Sequence, residues 1–317
     1  MGNSLSIYAS IFRSLFPPAP KFLPQDVPDL TGRVIVVTGG ASGIGKETVK
    51  VFLEHNAKVY LATRNRSQAE AVIAELKAAT GNEAHFLPLD LANLAAVRAA
   101  AEEFLSKEHE LHVLFNNAGT MWCPLEQLTA DGFDMQFGTN VVGHVLLTTL
   151  LLPALAAGAR SAPDGRARVV NTSSCGALLA TGLRFETFRG VSALRTRLGT
   201  KDMYNQSKLA MAVWSREAAR RYADKNVLVY AVDPGSVKTG LQRNATWMDR
   251  LFLNMILHEP WYGALTQLWA GTSPETLSLN GEWLIPYARH GRCLPEMYDA
   301  QLGEKLWTWL EEQLQEK

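Results

Sequence analysis

Short apolar runs recur along the chain, and each is followed by a stretch where apolar residues return every three or four positions. Val34, Ile35, Val36 and Val37 form an unbroken run, the signature of a strand buried on both faces. Further strands are predicted at residues 58–62, 84–87, 112–115, 167–171, 227–232 and 282–285. Between them the spacing predicts helices at residues 46–55, 68–79, 94–107, 133–156 and 204–222, one more after residue 260, and an amphipathic end at 304–315. Gly81 follows the second of these as a stop signal.

Strand–helix alternation at this rhythm calls for right-handed crossovers and a parallel sheet covered on both faces. The expected fold class is therefore α/β, a doubly wound, mainly parallel sheet flanked by helices. No composition break marks a second domain. The expected organisation is an N-terminal arm at residues 1–29 and one domain at 30–317, with a lid around 240–260 and a C-terminal extension.

Hydrophobic residues make up 47% and charged residues 20% of the 317, which excludes a mainly disordered chain. Thirty-one basic side chains balance 31 acidic ones, so nothing favours nucleic acid as a partner. Cys123, Cys175 and Cys293 show no ligand spacing, and free thiols in a reducing compartment are expected, with no metal. Sequons at Asn171, Asn205 and Asn244 read as chance matches. Residues 135–159 carry no charge, but Asn140, His144, Thr148, Thr149 and Pro153 interrupt them. A helix buried in the protein explains that stretch better than a membrane span.

Two features of the arm stand out. Met1-Gly2-Asn3-Ser4-Leu5-Ser6 fits an N-myristoylation pattern, and Ile7, Ile11 and Leu15, with Phe12 and Phe16, recur at helical spacing. Packing on the domain is the first expectation for this arm, and weak peripheral membrane contact through residues 1–16 is the second, since one acyl chain binds only marginally. The arm is expected to be dispensable for catalysis, because the glycine loop begins well after it. The expected location is cytoplasmic.

Thr38-Gly39-Gly40-Ala41-Ser42-Gly43-Ile44-Gly45 joins the first strand to the first helix. Glycines there allow a tight turn and close approach of the backbone to a pyrophosphate, and the helix N-terminus offers N–H groups to it. Arg64 closes the second strand, 19 residues after Gly45, and no Asp or Glu occurs between Lys58 and Gln68. An arginine at that point suits the 2′-phosphate of NADP, where an acidic residue would suit NAD. NADP(H) is the expected cofactor.

Four segments then agree with one family. Thr38 to Gly45, Asn116-Asn117-Ala118-Gly119, Tyr204-Asn205-Gln206-Ser207-Lys208 and Asp233-Pro234-Gly235-Ser236-Val237-Lys238-Thr239 occur in order and in the expected context. Together they resemble the short-chain dehydrogenases/reductases, most closely the retinol-dehydrogenase-like branch with its NADP preference and apolar substrates. The resemblance implies a Rossmann fold and a set of site residues. Asn140, Ser174, Tyr204 and Lys208 would be catalytic, with Ser173 as the alternative to Ser174. Gly39, Ser42, Ile44, Gly45, Arg64, Asp90, Leu91, Asn117, Ala118, Gly119, Tyr204, Lys208, Pro234, Gly235, Val237 and Thr239 would line the cofactor.

Tyr204 and Lys208, four apart, share one face of a helix. An ammonium beside a phenol favours the phenolate and is expected to bring its pKa down toward working pH. The expected reaction is hydride transfer between NADP(H) and a small apolar alcohol, aldehyde or ketone. A non-catalytic NADP-binding or membrane-associated adaptor of the same fold is the alternative, and a homodimer is a further expectation. The Ser174 to Tyr204 interval spans 30 positions, longer than the family's short form, and residues 183–201 are the extra segment. It could flank the pocket, touch a partner or be a solvated loop. Trp247, Met248, Leu251, Phe252, Met255, Ile256 and Leu257 would give the lid its apolar face.

Overall fold

A computed structural model describes residues 10–238, 240–241 and 257–315. Its eight strands are β1 (Val34–Thr38), β2 (Lys58–Thr63), β3 (His85–Pro88), β4 (Val113–Asn116), β5 (Ala167–Thr172), β6 (Val227–Val232), β7 (Trp283–Ile285) and β8 (Arg289–His290). They form one sheet in the order β3-β2-β1-β4-β5-β6-β7-β8, parallel except where β8 runs back along β7.

The helices are α1 (Gly43–Glu54), α2 (Arg66–Thr80), α3 (Leu94–Lys107), α4 (Met135–Ser161), α5 (Ala193–Arg221), α6 (Pro260–Thr272) and α7 (Ala300–Gln315). Val34 and Val36 point into one core while Ile35 and Val37 point into the other, so both faces of β1 are covered. This is the doubly wound α/β fold expected from the unbroken apolar runs.

Helix α4 is long and apolar enough to cross a membrane by length and composition, yet two thirds of its most apolar window (67%) is buried inside this fold. Asp134 caps its start by accepting from the Gln136 and Phe137 N–H groups. Between Gly138 and Val142 it widens into a π-type turn, with the Gly143 N–H bonded to the Gly138 carbonyl five residues back. Such a widening shifts the register of the side chains that follow.

The extra segment 183–201 is not a solvated loop. Arg195 is fully buried and donates to Asp134 Oδ2 at 2.8 Å, to the Leu125 carbonyl at 2.6 Å, and to the Gly190 carbonyl. Helix α5 starts inside this segment at Ala193 and is broken at Gly199, whose φ of +78° falls in the left-handed region.

The arm packs on the domain. Residues 10–15 are helical, Ile11 rests against the core, and the buried Ser14 hydroxyl donates to Asp233 Oδ2. Arg289 donates to the carbonyls of Pro18 and Ala19 at 3.2 and 2.6 Å.

Candidate active site

Beyond the C-terminal ends of β1 to β6 the loops converge on a cleft of about 840 Å³. Ligands of open α/β sheets bind in this position, outside the strand ends where the winding reverses. Here the reversal lies between β1 and β4, which are neighbours in the sheet.

The floor is the contact between the glycine loop and the segment after β4. Gly39 has a φ of +68°, and a Cβ on it would stand 3.0 Å from the Ala118 Cα. A Cβ on Gly45 would stand 2.4 Å from the Gly39 carbonyl. The Thr38 hydroxyl accepts from the Asn117 and Ala118 N–H groups, both at 2.9 Å, and the Asn117 amide donates back to the Thr38 carbonyl at 2.8 Å. Ser42 precedes α1 without spending its side chain on a cap, so the first N–H groups of α1 stay open to the cleft. A diphosphate fits this cradle by charge and by the absence of side chains. Arg64 lies exposed on the rim at the end of β2, and the first carboxylate after it, Glu70, pairs with Arg66.

At the other end, Tyr204 and Lys208 face the cleft from α5. The Lys208 Nζ lies 5.8 Å from the centroid of the Tyr204 ring and donates to the Thr172 carbonyl at 2.8 Å. Ser173 and Ser174 part company here. Ser173 also borders the cleft, but its buried hydroxyl is spent on the Lys208 carbonyl, to which it donates at 2.7 Å. Ser174 keeps its hydroxyl beside the Tyr204 phenol, while accepting from the Gly176 N–H at 3.1 Å. The geometry therefore favours Ser174 over Ser173 as the hydroxyl that a substrate would meet.

Asn140 lies behind the wall, almost fully buried in the π-type turn of α4. Its Oδ1 accepts from the Thr120 N–H at 2.9 Å, and its Nδ2 donates to the Thr120 carbonyl and to Ser207 Oγ, both at 3.0 Å. A Cβ on Gly119 would sit 3.2 Å from Asn140 Oδ1 and 3.7 Å from Lys208 Nζ, so both side chains border Gly119.

The electrostatics depart from the expectation drawn from Tyr204 and Lys208 alone. Burial pushes the Tyr204 phenol well above its ordinary value, the Ser174 hydroxyl opposing it and Cys175 and Asp233 adding to it. Burial also pulls Lys208 down to about 8, against the pull of Asp233. Desolvation of both groups outweighs their proximity, so the phenol is protonated at neutral pH and is set up to donate a proton.

Among the residues expected to line the cofactor, Gly39, Ser42, Ile44, Arg64, Asp90, Leu91, Asn117, Ala118, Gly119, Tyr204, Lys208, Pro234, Gly235 and Val237 all border the cleft. Gly45 is buried beneath it. Thr239 and most of the expected lid, residues 242–256, lie outside the described residues, while Leu241 and Leu257 border the cleft.

Three lining features escaped the sequence reading. Leu15 reaches the cleft from the arm, so the arm is not remote from the site as its sequence distance suggested. Trp122, with a φ of +55°, carries Lys201 Nζ 4.8 Å above its ring, and both border the cleft. The apolar stripe of the arm was a usable signal for Leu15. Nothing in the sequence near Trp122 signalled its role.

A family model described as short chain dehydrogenase matches residues 33–183. A short-chain dehydrogenase/reductase of Armillaria gallica is 50% identical over 311 residues, covering 98% of each chain. Retinol dehydrogenase 11 of Mus musculus is 40% identical over 256 residues, covering 80% of this chain and 77% of its own. Among solved structures, the Pseudomonas aeruginosa RhlG/NADP active-site complex superposes with a TM-score of 0.64 at 25% identity, covering 82% of this chain and 96% of the other.

Proposed function

The chain belongs to the short-chain dehydrogenase/reductase family, in its retinol-dehydrogenase-like branch, and from that premise we propose that it is an NADP(H)-dependent enzyme exchanging a hydride with an apolar alcohol, aldehyde or ketone. The observation that carries this reading is one cleft with a phosphate cradle and Arg64 at one end and Ser174, Tyr204 and Lys208 at the other.

Bound there, the nicotinamide supplies the hydride to the carbonyl carbon or takes it back from the alcohol. Arg64 would pair with the 2′-phosphate, and the N–H groups at the start of α1 would hold the diphosphate. The protonated Tyr204 phenol donates its proton to the carbonyl oxygen during reduction, and the Ser174 hydroxyl gives that oxygen a second hydrogen bond as charge builds on it. Lys208 remains an ammonium below about pH 8 and stabilises the phenolate that Tyr204 leaves behind. Asn140, bonded to Thr120 and Ser207, ties the segment after β4 to the helix that carries Tyr204 and Lys208.

Met121, Trp122, Met135 and Leu179 border the cleft, which supports an apolar substrate over a sugar or a nucleotide. A cytoplasmic enzyme with weak peripheral membrane contact, acting as a homodimer, completes the proposal. The test is a panel of apolar aldehydes, ketones and alcohols followed by NADPH absorbance, with the Tyr204→Phe enzyme alongside. Turnover of a member by the wild type, lost in Tyr204→Phe, supports the reading. No turnover of any member with either cofactor sinks it.

A further inference from the structure

We propose that the N-terminal arm is a working wall of the substrate end of this cleft, in which Leu15 sets the size of the apolar substrate and the Ser14–Asp233 hydrogen bond positions it. The proposal rests on the oxidoreductase reading of the same cleft and adds a specificity element to it.

The arm is seated from several directions. Asp233 follows β6 and is 1% exposed, as is Ser14. The Asp233 Oδ1 accepts from the Gly235 N–H at 3.0 Å, and its Oδ2 accepts the Ser14 hydroxyl. A buried carboxylate left short of donors is costly, so this hydroxyl has a specific seat. The Ser14 carbonyl lies 3.6 Å from where a Cβ on Gly235 would stand, which brings the arm backbone against the loop after β6. Ile11, one turn before Leu15, rests on the core, and Arg289 grips the chain further along at Pro18 and Ala19.

This seat is at the reacting end. Asp233 and Gly235 follow β6, which lies beside β5 with Ser174 at its end and four strands from β2, so the residue beside Ser14 borders the Ser174 side of the cleft and not the Arg64 end. Leu15 is that residue, and it lines the cleft. Phe12 and Phe16 point the other way, 62% and 54% exposed. The helical spacing thus sends Ile11 and Leu15 inward together.

The experiment compares wild type with Leu15→Ala, Leu15→Phe, Ser14→Ala and Ser14→Thr. Each is assayed with NADPH and straight-chain aldehydes from hexanal to dodecanal. Each is also titrated with decan-2-one by calorimetry in its complex with NADP+. Leu15→Ala should raise KM for decanal about tenfold with kcat within about twofold, because one or two substrate methylenes lose their contact. Affinity for NADPH should stay within about twofold. Leu15→Phe should move the preferred chain length toward shorter aldehydes. Ser14→Ala should follow Leu15→Ala, and Ser14→Thr should restore the wild-type values by keeping the hydroxyl.

Unchanged KM and chain-length preference in both Leu15 variants overturn the proposal even if Ser14→Ala fails to fold. If the wild type reduces nothing, the oxidoreductase reading fails separately, and the decan-2-one titration still decides the wall. Weaker binding to Leu15→Ala supports it and equal binding overturns it. A wild type that neither reduces the aldehydes nor binds the ketone overturns both.

Discussion

The Thr38 hydroxyl stands 3.0 Å from His144 Nε2, and this contact joins the strand that opens the glycine loop to the helix that carries Asn140. The other ring nitrogen, Nδ1, is 3.2 Å from the Asn140 carbonyl. A carbonyl only accepts, so Nδ1 carries the proton and Nε2 accepts from Thr38. Burial keeps the ring neutral, with its proton on Nδ1, between the two halves of the site.

This neutrality has a pH signature. Burial pulls His144 down to about 3 from the usual 6.5. Its protonated form is tolerated in the unfolded chain and not in the folded one. The stability tied to the neutral ring is present above pH 6.5 and is lost as pH falls toward 3. Urea midpoints should show His144→Gln less stable than wild type at pH 7 by about 1–2 kcal/mol, from lost hydrogen bonds. The gap should close between about pH 5 and pH 6 and reverse by pH 4, where the wild type has lost about 3 kcal/mol through this one ring. A gap that stays constant from pH 7 to pH 4 contradicts a buried neutral His144.

Arg64 gives the second prediction. It lies on the rim, exposed, at the end of β2. Wild type should bind NADPH more tightly than NADH. Arg64→Asp should weaken NADPH by about tenfold or more, the worth of one charge-assisted contact, and leave NADH nearly unchanged. Titrating both cofactors by fluorescence decides it. A wild type that prefers NADH, or a variant that still prefers NADPH, removes Arg64 as the reader.

Most of the frame was legible because β1, β4 and β6 are buried on both faces, and their sequences show it as apolar runs, while β5 keeps Val169 and Val170 between Arg168 and Asn171. The two-residue β8 left no such run, and Arg289 and His290 are polar. The start of α5 was hidden by Gly199, which breaks the helical pattern just before Tyr204. In the site, local motifs named the residues around the strand ends. Ser14 and Asp233 are 219 positions apart, so no local pattern could join them and bring Leu15 to the cleft. The acidity of Tyr204 is not legible in its motif for a related reason. Its spacing from Lys208 is a local fact, whereas its desolvation is a property of the assembled fold.

The acid and its neighbour separate cleanly. Tyr204→Phe should cost at least ~10²-fold in turnover, as losing a general acid does, with NADPH affinity nearly intact. Lys208→Met should lose turnover too, but its stability should rise. Folding lowers the Lys208 value from 10.5 to about 8, so burying the ammonium is unfavourable below pH 8, and that cost fades as pH climbs to 10.5. The thermal advantage of Lys208→Met should be largest at pH 7 and smallest near pH 10. Scanning calorimetry at both pH values reads it. A Tyr204→Phe enzyme with near-normal turnover removes the proposed acid.

Arg195 tests the extra segment. Its guanidinium bonds Asp134, Leu125 and Gly190 with no exposure to water, and Asp134 also caps α4. Arg195→Leu leaves a buried carboxylate without its cation, which should cost about 3–5 kcal/mol in urea unfolding. The neighbouring Arg197 is exposed, and Arg197→Leu should change stability by no more than about 0.5 kcal/mol. Equal effects from the two would mean that the segment is held elsewhere.

The arm offers the last test, because its seat limits how it could meet a membrane. The helically spaced Ile7, Ile11 and Leu15 cannot act as one apolar face while the arm is seated. Ile11 rests on the core and Leu15 borders the cleft, while Ile7 lies outside the described residues. Among the described residues of the arm, the large apolar groups facing outward are Phe12 and Phe16, with ring centroids 5.1 Å apart. Two aromatic rings and one acyl chain on Gly2 give at most a reversible contact. Co-sedimentation of the protein expressed in cells with its myristoylation machinery, on vesicles of phosphatidylcholine and phosphatidylserine, should show a minor bound fraction. Gly2→Ala should reduce that fraction, and so should the double change Phe12→Ser and Phe16→Ser. Ile11→Val should leave it unchanged, because that side chain faces the protein. Loss of binding with Ile11→Val but not with the double serine change would mean that the arm leaves its seat to bind, and equal sedimentation of wild type and Gly2→Ala would dismiss acylation.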